Sequence, residues 1–116
     1  MQFHTPLGMA VFNGSERVVD FLLESGANPN ALCATTESIM EQHPLMIAVQ
    51  KRQLEVAEML LEKGANPNWQ DTARLFPLFE AVNMRNAPMV ELLLDHKVNE
   101  ILDGYIYCVY LRPIRF

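Results

Sequence analysis

Residues 24–31 read ESGANPNA and residues 62–69 read EKGANPNW, the same phrase 38 positions further along. A second echo overlaps the first: LLEKGAN at 60–66 returns as LLDHKVN at 93–99, an offset of 33. Working outward, Thr5-Pro6-Leu7 is answered by His43-Pro44-Leu45 and by Phe76-Pro77-Leu78 at those same two offsets, and Ala10, Ala48 and Ala81 follow each proline by four. Self-similarity at a fixed period marks a repeat architecture and decides how every other segment is read. Three copies share one frame, at about 5–42, 43–75 and 76–101.

Inside each copy the pattern is helix, turn, helix, loop. Pro6, Pro44 and Pro77 suit a first helical position, where the missing N–H would have been unpaired anyway; Thr5 is a good N-cap, and His43 and Phe76 are poor ones. After a break at Asn13-Gly14, Lys51-Arg52 or Arg85-Asn86 comes a second apolar series: Val18, Val19, Leu22 and Leu23; Val56, Leu60 and Leu61; Val90, Leu93 and Leu94. Spacings of three and four put each series on one helix face. Gly26 and Gly64 stand where a helix end wants left-handed backbone, and Asn-Pro-Asn follows as turn chemistry. A unit this short cannot bury its own apolar face, so the copies must stack.

These residues resemble the ankyrin repeat, a thirty-three-residue unit with a T-P-L-H-x-A opening, paired helices and a Gly-Ala-Asp-x-Asn exit. The resemblance implies an all-α solenoid of stacked helix-turn-helix units with β-hairpin fingers over residues 1–102; the tail at 103–116 does not continue the repeat and reads as a cap on the third copy, a partner-binding edge strand or the beginning of a larger structure. The resemblance also implies a non-catalytic module that binds another protein, acting as scaffold, adaptor or inhibitor. The opening His is replaced by Gly8, Met46 and Phe79, so the polar links which that His makes in the family are lost, and apolar contacts from Met46 and Phe79 are expected in their place. The surplus of the first copy falls in ALCATTESIMEQ at 31–42, which lengthens the first finger either as a loop insertion or as a contact surface. At the third exit Lys97 and Val98 take the Gly and Ala positions. Tyr105, Ile106, Tyr107, Val109 and Tyr110 favour a short extended stretch in the tail.

Composition narrows the function from the other side. With 50% hydrophobic and 20% charged residues the chain is too apolar for disorder, and its net charge of −5 disfavours nucleic acid and anionic lipid, which need a surplus of Lys and Arg. No apolar run approaches the roughly 18–20 residues of a membrane span. Cys33 and Cys108 lack disulfide-framework or zinc-site spacing, which points to a reducing, cytoplasmic setting with no metal. No nucleophile elbow, phosphate loop or zinc-protease motif occurs, and His4, His43 and His96 read as solvent-exposed turn residues. The expectation is no enzyme and no cofactor.

The resemblance places partner contacts on the concave side. First-helix ends contribute Phe12 and Asn13, Gln50 and Lys51, Asn83 and Met84. The fingers contribute Leu32, Ile39, Met40 and Gln42, then Gln70, Thr72 and Leu75, and Trp69 is either a packing residue or a partner anchor. The apolar members form one exposed patch or pack finger on finger. Glu16, Asp20, Glu24, Glu55, Glu58, Glu62, Glu91 and Asp95 all fall on second helices, so the opposite, convex back should be acidic, while Lys51, Arg52, Arg74 and Arg85 stay on the inner side. Two rival readings are a homo-oligomer formed through the uncapped first repeat or the tail, and a fragment of a longer repeat protein such as a secreted effector.

Overall fold

The computed structural model describes residues 4–35, 41–69 and 77–96. Among these are six helices and no strand: α1 (Pro6–Asn13), α2 (Glu16–Glu24), α3 (Pro44–Gln50), α4 (Leu54–Glu62), α5 (Pro77–Asn83) and α6 (Ala87–Asp95). Each prediction of a helix start at Pro6, Pro44 and Pro77 is met. Thr5 caps α1, its hydroxyl accepting the Gly8 N–H at 2.9 Å, whereas the His43 side chain makes no cap on α3. Phe76, the third predicted opening residue, and the tail at 103–116 lie outside the described residues.

One local geometry closes all three hairpins. Gly14, Arg52 and Arg85, which the 38 and 33 offsets place in register, have φ of 76°, 57° and 56°. At each, the left-handed residue and its successor donate N–H bonds back into the preceding helix: Gly14 and Ser15 to Val11 and Ala10, Arg52 and Gln53 to Val49 and Ala48, Arg85 and Asn86 to Val82 and Ala81. That satisfies carbonyls which a helix end leaves orphaned. Gly26 and Gly64, at φ of 96° and 98°, close α2 and α4 in the same way, through Leu23 and Leu22, then Leu61 and Leu60.

The hairpins stack in two layers. Helix α1 packs on α3 and α3 on α5, while α2 packs on α4 and α4 on α6. A continuous core runs through them, including Leu7, Val11 and Val19, then Leu45, Ile47, Val56 and Leu60, then Leu78, Met89 and Leu93. At roughly 25 cal/mol per Å² of apolar surface removed from water, this shared burial supplies the stability that no single hairpin has. The exits are tied together as well. In each Asn-Pro-Asn the first Asn builds a turn, with Asn30 N–H donating to Asn28 Oδ1 and Asn68 N–H to Asn66 Oδ1, both at 2.9 Å. The side chain of the second Asn then reaches the next repeat: Asn30 Nδ2 donates to the Gly64 carbonyl at 3.1 Å, and Asn30 Oδ1 accepts from Asn66 N–H at 2.7 Å.

Two sequence expectations are corrected by packing. Val18, read as part of the buried face of α2, is 48% exposed. His43, read as a solvent-exposed turn residue, is buried. By contrast all eight second-helix acids are exposed, so the acidic outer face stands as expected.

Candidate functional site

The base of the first finger is built by residues 33 and 42. Cys33 and Gln42 exchange both backbone hydrogen bonds, at 2.8 and 2.9 Å, as an antiparallel pair. Beneath it, Gly8 is the residue that lets the finger sit down on α1: a Cβ at position 8 would run into the Cβ and Sγ of Cys33. The thiol occupies the space left by the missing opening His and takes up polar work of its own, lying 3.4 Å from the Thr5 N–H and donating to the Ala34 carbonyl at 3.1 Å. His4 Nδ1 lies 3.0 Å from that same Ala34 oxygen. Met46 is buried at the equivalent place in repeat two and Phe79 half-buried in repeat three, in keeping with the apolar substitution expected there.

Next to Gln42 the second finger's base differs. Trp69, 45% exposed, sets its ring 4.2 Å from that of His43 at a tilt of 55°. Both His43 nitrogens lack a hydrogen-bond partner among the described residues. Burial holds the ring below its ordinary value of 6.5; the Asn30 backbone, near enough to favour the charged form, offsets part of this without meeting hydrogen-bond geometry. Leu32 is 39% exposed on the neighbouring finger, and Gln42 is half-buried.

At the other end of the first helices a strip crosses all three repeats. Phe12 is half-buried against the core, and Lys51 Nζ sits 4.2 Å above its ring centroid, a cation–π contact between repeats one and two. Arg52 Nη2 donates to the Met84 carbonyl at 2.9 Å and so joins repeats two and three. Asn13, Gln50 and Asn83 project into solvent from this strip, and the Met84 side chain is half-buried. Helix α3 is buried from Pro44 to Val49, so in repeat two the finger base and the helix-end strip are separate clusters about 10 Å apart along the helix. Ile39, Met40, Gln70, Thr72, Leu75 and Arg74 lie outside the described residues.

Sequence reasoning missed the left-handed arginines that shape the strip and the imidazole under Trp69. Register alignment against Gly14 was the available signal for the first; nothing in the sequence foretold the second. On the outer layer, Glu24 and Lys63 form a 2.7 Å ion pair between repeats, and the hydrogen bond from Lys63 to that carboxylate, more than its charge, raises the ammonium above its usual range. No group of three or more potential metal ligands occurs among the described residues, and no helix there is long and apolar enough to cross a membrane.

Comparison with known proteins follows the same lines. The family model for ankyrin repeats in three copies matches residues 45–108, more than half of the 116-residue chain, and the single ankyrin repeat model matches residues 3–34. Among solved structures, the crystal structure of the ankyrin repeat domain of Bcl-3, described as a unique member of the IkappaB protein family, is 29% identical with a TM-score of 0.72. The match covers 80% of this chain and 39% of that one, so the chain spans about two-fifths of that domain's length. No curated protein matches.

Proposed function

Because the chain belongs to the ankyrin repeat family, whose repeats are generally protein–protein interaction modules, we propose that it binds a partner protein through its finger bases and first-helix ends without catalysing a reaction. The observation that carries this reading is the bridging of all three repeats by the helix-end strip, Phe12 to Lys51 and Arg52 to Met84. Neighbouring hairpins are thereby held in fixed relation, so the exposed side chains beside the strip and at the finger bases are presented with little left to order on binding.

The two clusters offer different chemistry. Leu32 and Trp69 supply apolar contact area, and an aromatic ring half out of solvent on a rigid base is the kind of side chain that dominates interface energetics. Asn13, Gln50 and Asn83 supply neutral hydrogen-bonding groups beside the basic Lys51, Arg52 and Arg85. A scaffold, adaptor or inhibitor role follows from rigid display of this surface, and a reducing cytoplasmic setting accords with the free thiol of Cys33.

The test uses substitutions that leave the core alone. Affinity capture with mass spectrometry is run from the native source with the wild-type chain and with a Leu32→Asp, Trp69→Ala, Gln50→Arg variant, alongside thermal denaturation. The expected result is a protein captured by the wild type and lost by the variant at nearly unchanged Tm. Equal capture by both removes this surface from the function.

A further inference from the structure

The second repeat opens on an imidazole whose nitrogens make no hydrogen bond among the described residues. His43, just before α3, is 8% exposed, and neither Nδ1 nor Nε2 has a partner there. Its ring lies 4.2 Å from that of Trp69, tilted by 55°, and Trp69 is 45% exposed. One ring of the pair is thus sealed in the stack while the other meets solvent. A neutral imidazole is tolerated in such a place, but an imidazolium has two N–H donors to satisfy and a charge to solvate, and a charge buried without a partner is far costlier than a neutral group. The described surroundings supply no counter-charge. Helices α1 and α3 carry no charged residue, Glu41 is the acid nearest to His43 in sequence, Glu24 ends α2, Glu62 with Lys63 ends α4, and Glu80 is the one charge on α5. None of these is among the influences on the ring, which are burial first and the Asn30 backbone second. Glu37, Asp71 and Arg74 lie outside the described residues.

We propose that His43 and Trp69 form a pH-sensitive latch at the base of the second finger. With His43 neutral the two rings stay together; once protonated, the imidazole turns out to water and Trp69 is released. Burial orders the two states, because it holds the ring neutral at neutral pH and moves proton uptake below the ordinary value of 6.5, so release belongs to mild acid. The repeat frame does not itself demand this pair. Offsets of 38 and 33 put Thr5 and Phe76 at the position of His43, and Ala31 and Leu102 at that of Trp69. Neither Thr5 nor Phe76 titrates, and neither Ala31 nor Leu102 carries a ring, so the latch belongs to the second repeat. Trp69 is part of the partner surface proposed above, and a weakening of that surface in acid is the one consequence that rests on that reading. The latch itself is a property of the free chain.

Trp69 is the single tryptophan of the chain, so its fluorescence reads the latch directly. Emission and acrylamide quenching are followed from about pH 7.5 to about pH 4.5, with far-UV circular dichroism as the check on helix content. The expected result is a transition with its midpoint below 6.5 at constant helix content, across which the quenching constant rises by about 1.5- to 2-fold, the room left to a ring that is 45% exposed. The transition should vanish in His43→Phe, which keeps a ring but cannot titrate, and in His43→Gln, and it should persist in His4→Gln and His96→Gln. A change in emission with no gain in accessibility would mean that the imidazolium stays on the indole by cation–π attraction, and overturns the proposal. So does the absence of any transition, a transition that coincides with loss of helix, or one that survives in whichever His43 variant keeps the wild-type helix content.

Discussion

The first and second repeats open on the same backbone and fill it with opposite chemistry. In the first, Thr5 caps α1, Gly8 leaves room, and the Cys33 thiol occupies that room with its polar contacts met. In the second, the His43 side chain caps nothing, Met46 fills the space where Gly8 stands in the first, and the buried imidazole packs against Trp69 with neither nitrogen partnered among the described residues. The frame therefore fixes where helices start and turn, while the contents of each opening differ: a satisfied polar arrangement in the first, and in the second an apolar one with a buried imidazole that lacks partners among the described residues. Buried polar groups without partners cost roughly 1–3 kcal/mol, so the second opening is the weaker by design of its side chains alone.

Gly8→Ala should break the first opening most severely. Its Cβ would overlap the Cβ and Sγ of Cys33, and overpacking of that kind costs about 2–3 kcal/mol. Urea denaturation measures the loss. Adding Cys33→Ala removes the sulphur but leaves its Cβ, so the double variant should recover part of the cost, whereas Cys33→Ala should give no recovery to a Met46→Ala chain. Equal, additive costs in both repeats would mean that Gly8 and Cys33 are not a coupled pair.

His43→Thr should move the second opening toward the first. It supplies a cap worth about 1 kcal/mol and withdraws two unpartnered nitrogens, against the loss of the ring contact with Trp69, for an expected net gain of about 1 kcal/mol. The same substitution tests the titration. Burial lowers the folded-state pKa of His43 below 6.5, so the unfolded chain takes up the proton first. Stability is then unaffected by this group at pH 7.5 and falls as pH drops through 6.5, by at most about 1.4 kcal/mol per pH unit. Denaturation midpoints at pH 7.5, 6.5 and 5.5 should show a slope in the wild type that is shallower in His43→Thr; identical slopes would mean that the ring is not desolvated. Thr5→Ala, the converse change, should cost the first opening about 1 kcal/mol with no added pH dependence.

These contrasts also mark what the sequence could disclose. The helix starts, the hairpin breaks, the glycine exits and the acidic outer face were legible because each follows from local rules acting at a fixed period: proline at a first turn, glycine at positive φ, acids three or four apart. The Asn-Pro-Asn turns were legible, but the bond from Asn30 to Gly64 and Asn66 of the next repeat was not, since it depends on how far apart the stack sets successive exits. His43 was misread for the same reason: its environment is set by the stack, including a ring contact with Trp69, twenty-six residues away in sequence. Val18 was misread because helical periodicity reports that a face is apolar and says nothing of whether a neighbour covers it. On the candidate surface, the residue types were legible, while the pairing of Lys51 with Phe12 and of Arg52 with Met84 was set by stacking.

The smallest expected effect concerns the turn that all three repeats share. Gly14 adopts its φ of 76° without a Cβ penalty, but Arg52 at 57° and Arg85 at 56° carry one, of about 1–2 kcal/mol for an L-residue in left-handed backbone. Replacing Arg85 with glycine removes that strain and restores about 0.5–1 kcal/mol of unfolded-chain entropy to be lost on folding, so Arg85→Gly should stabilise by about 0.5 kcal/mol. Arg52→Gly relieves the same strain but forfeits the guanidinium bond to the Met84 carbonyl, an exposed interaction of about 0.5 kcal/mol, and should come out near neutral. The difference between the two variants, measured by urea denaturation at one pH, isolates the inter-repeat bond, because the backbone terms are common to both and cancel. A stabilisation equal in the two would mean that Arg52 holds the turn in place without bracing the third repeat, and that the helix-end strip is continuous only across the first two.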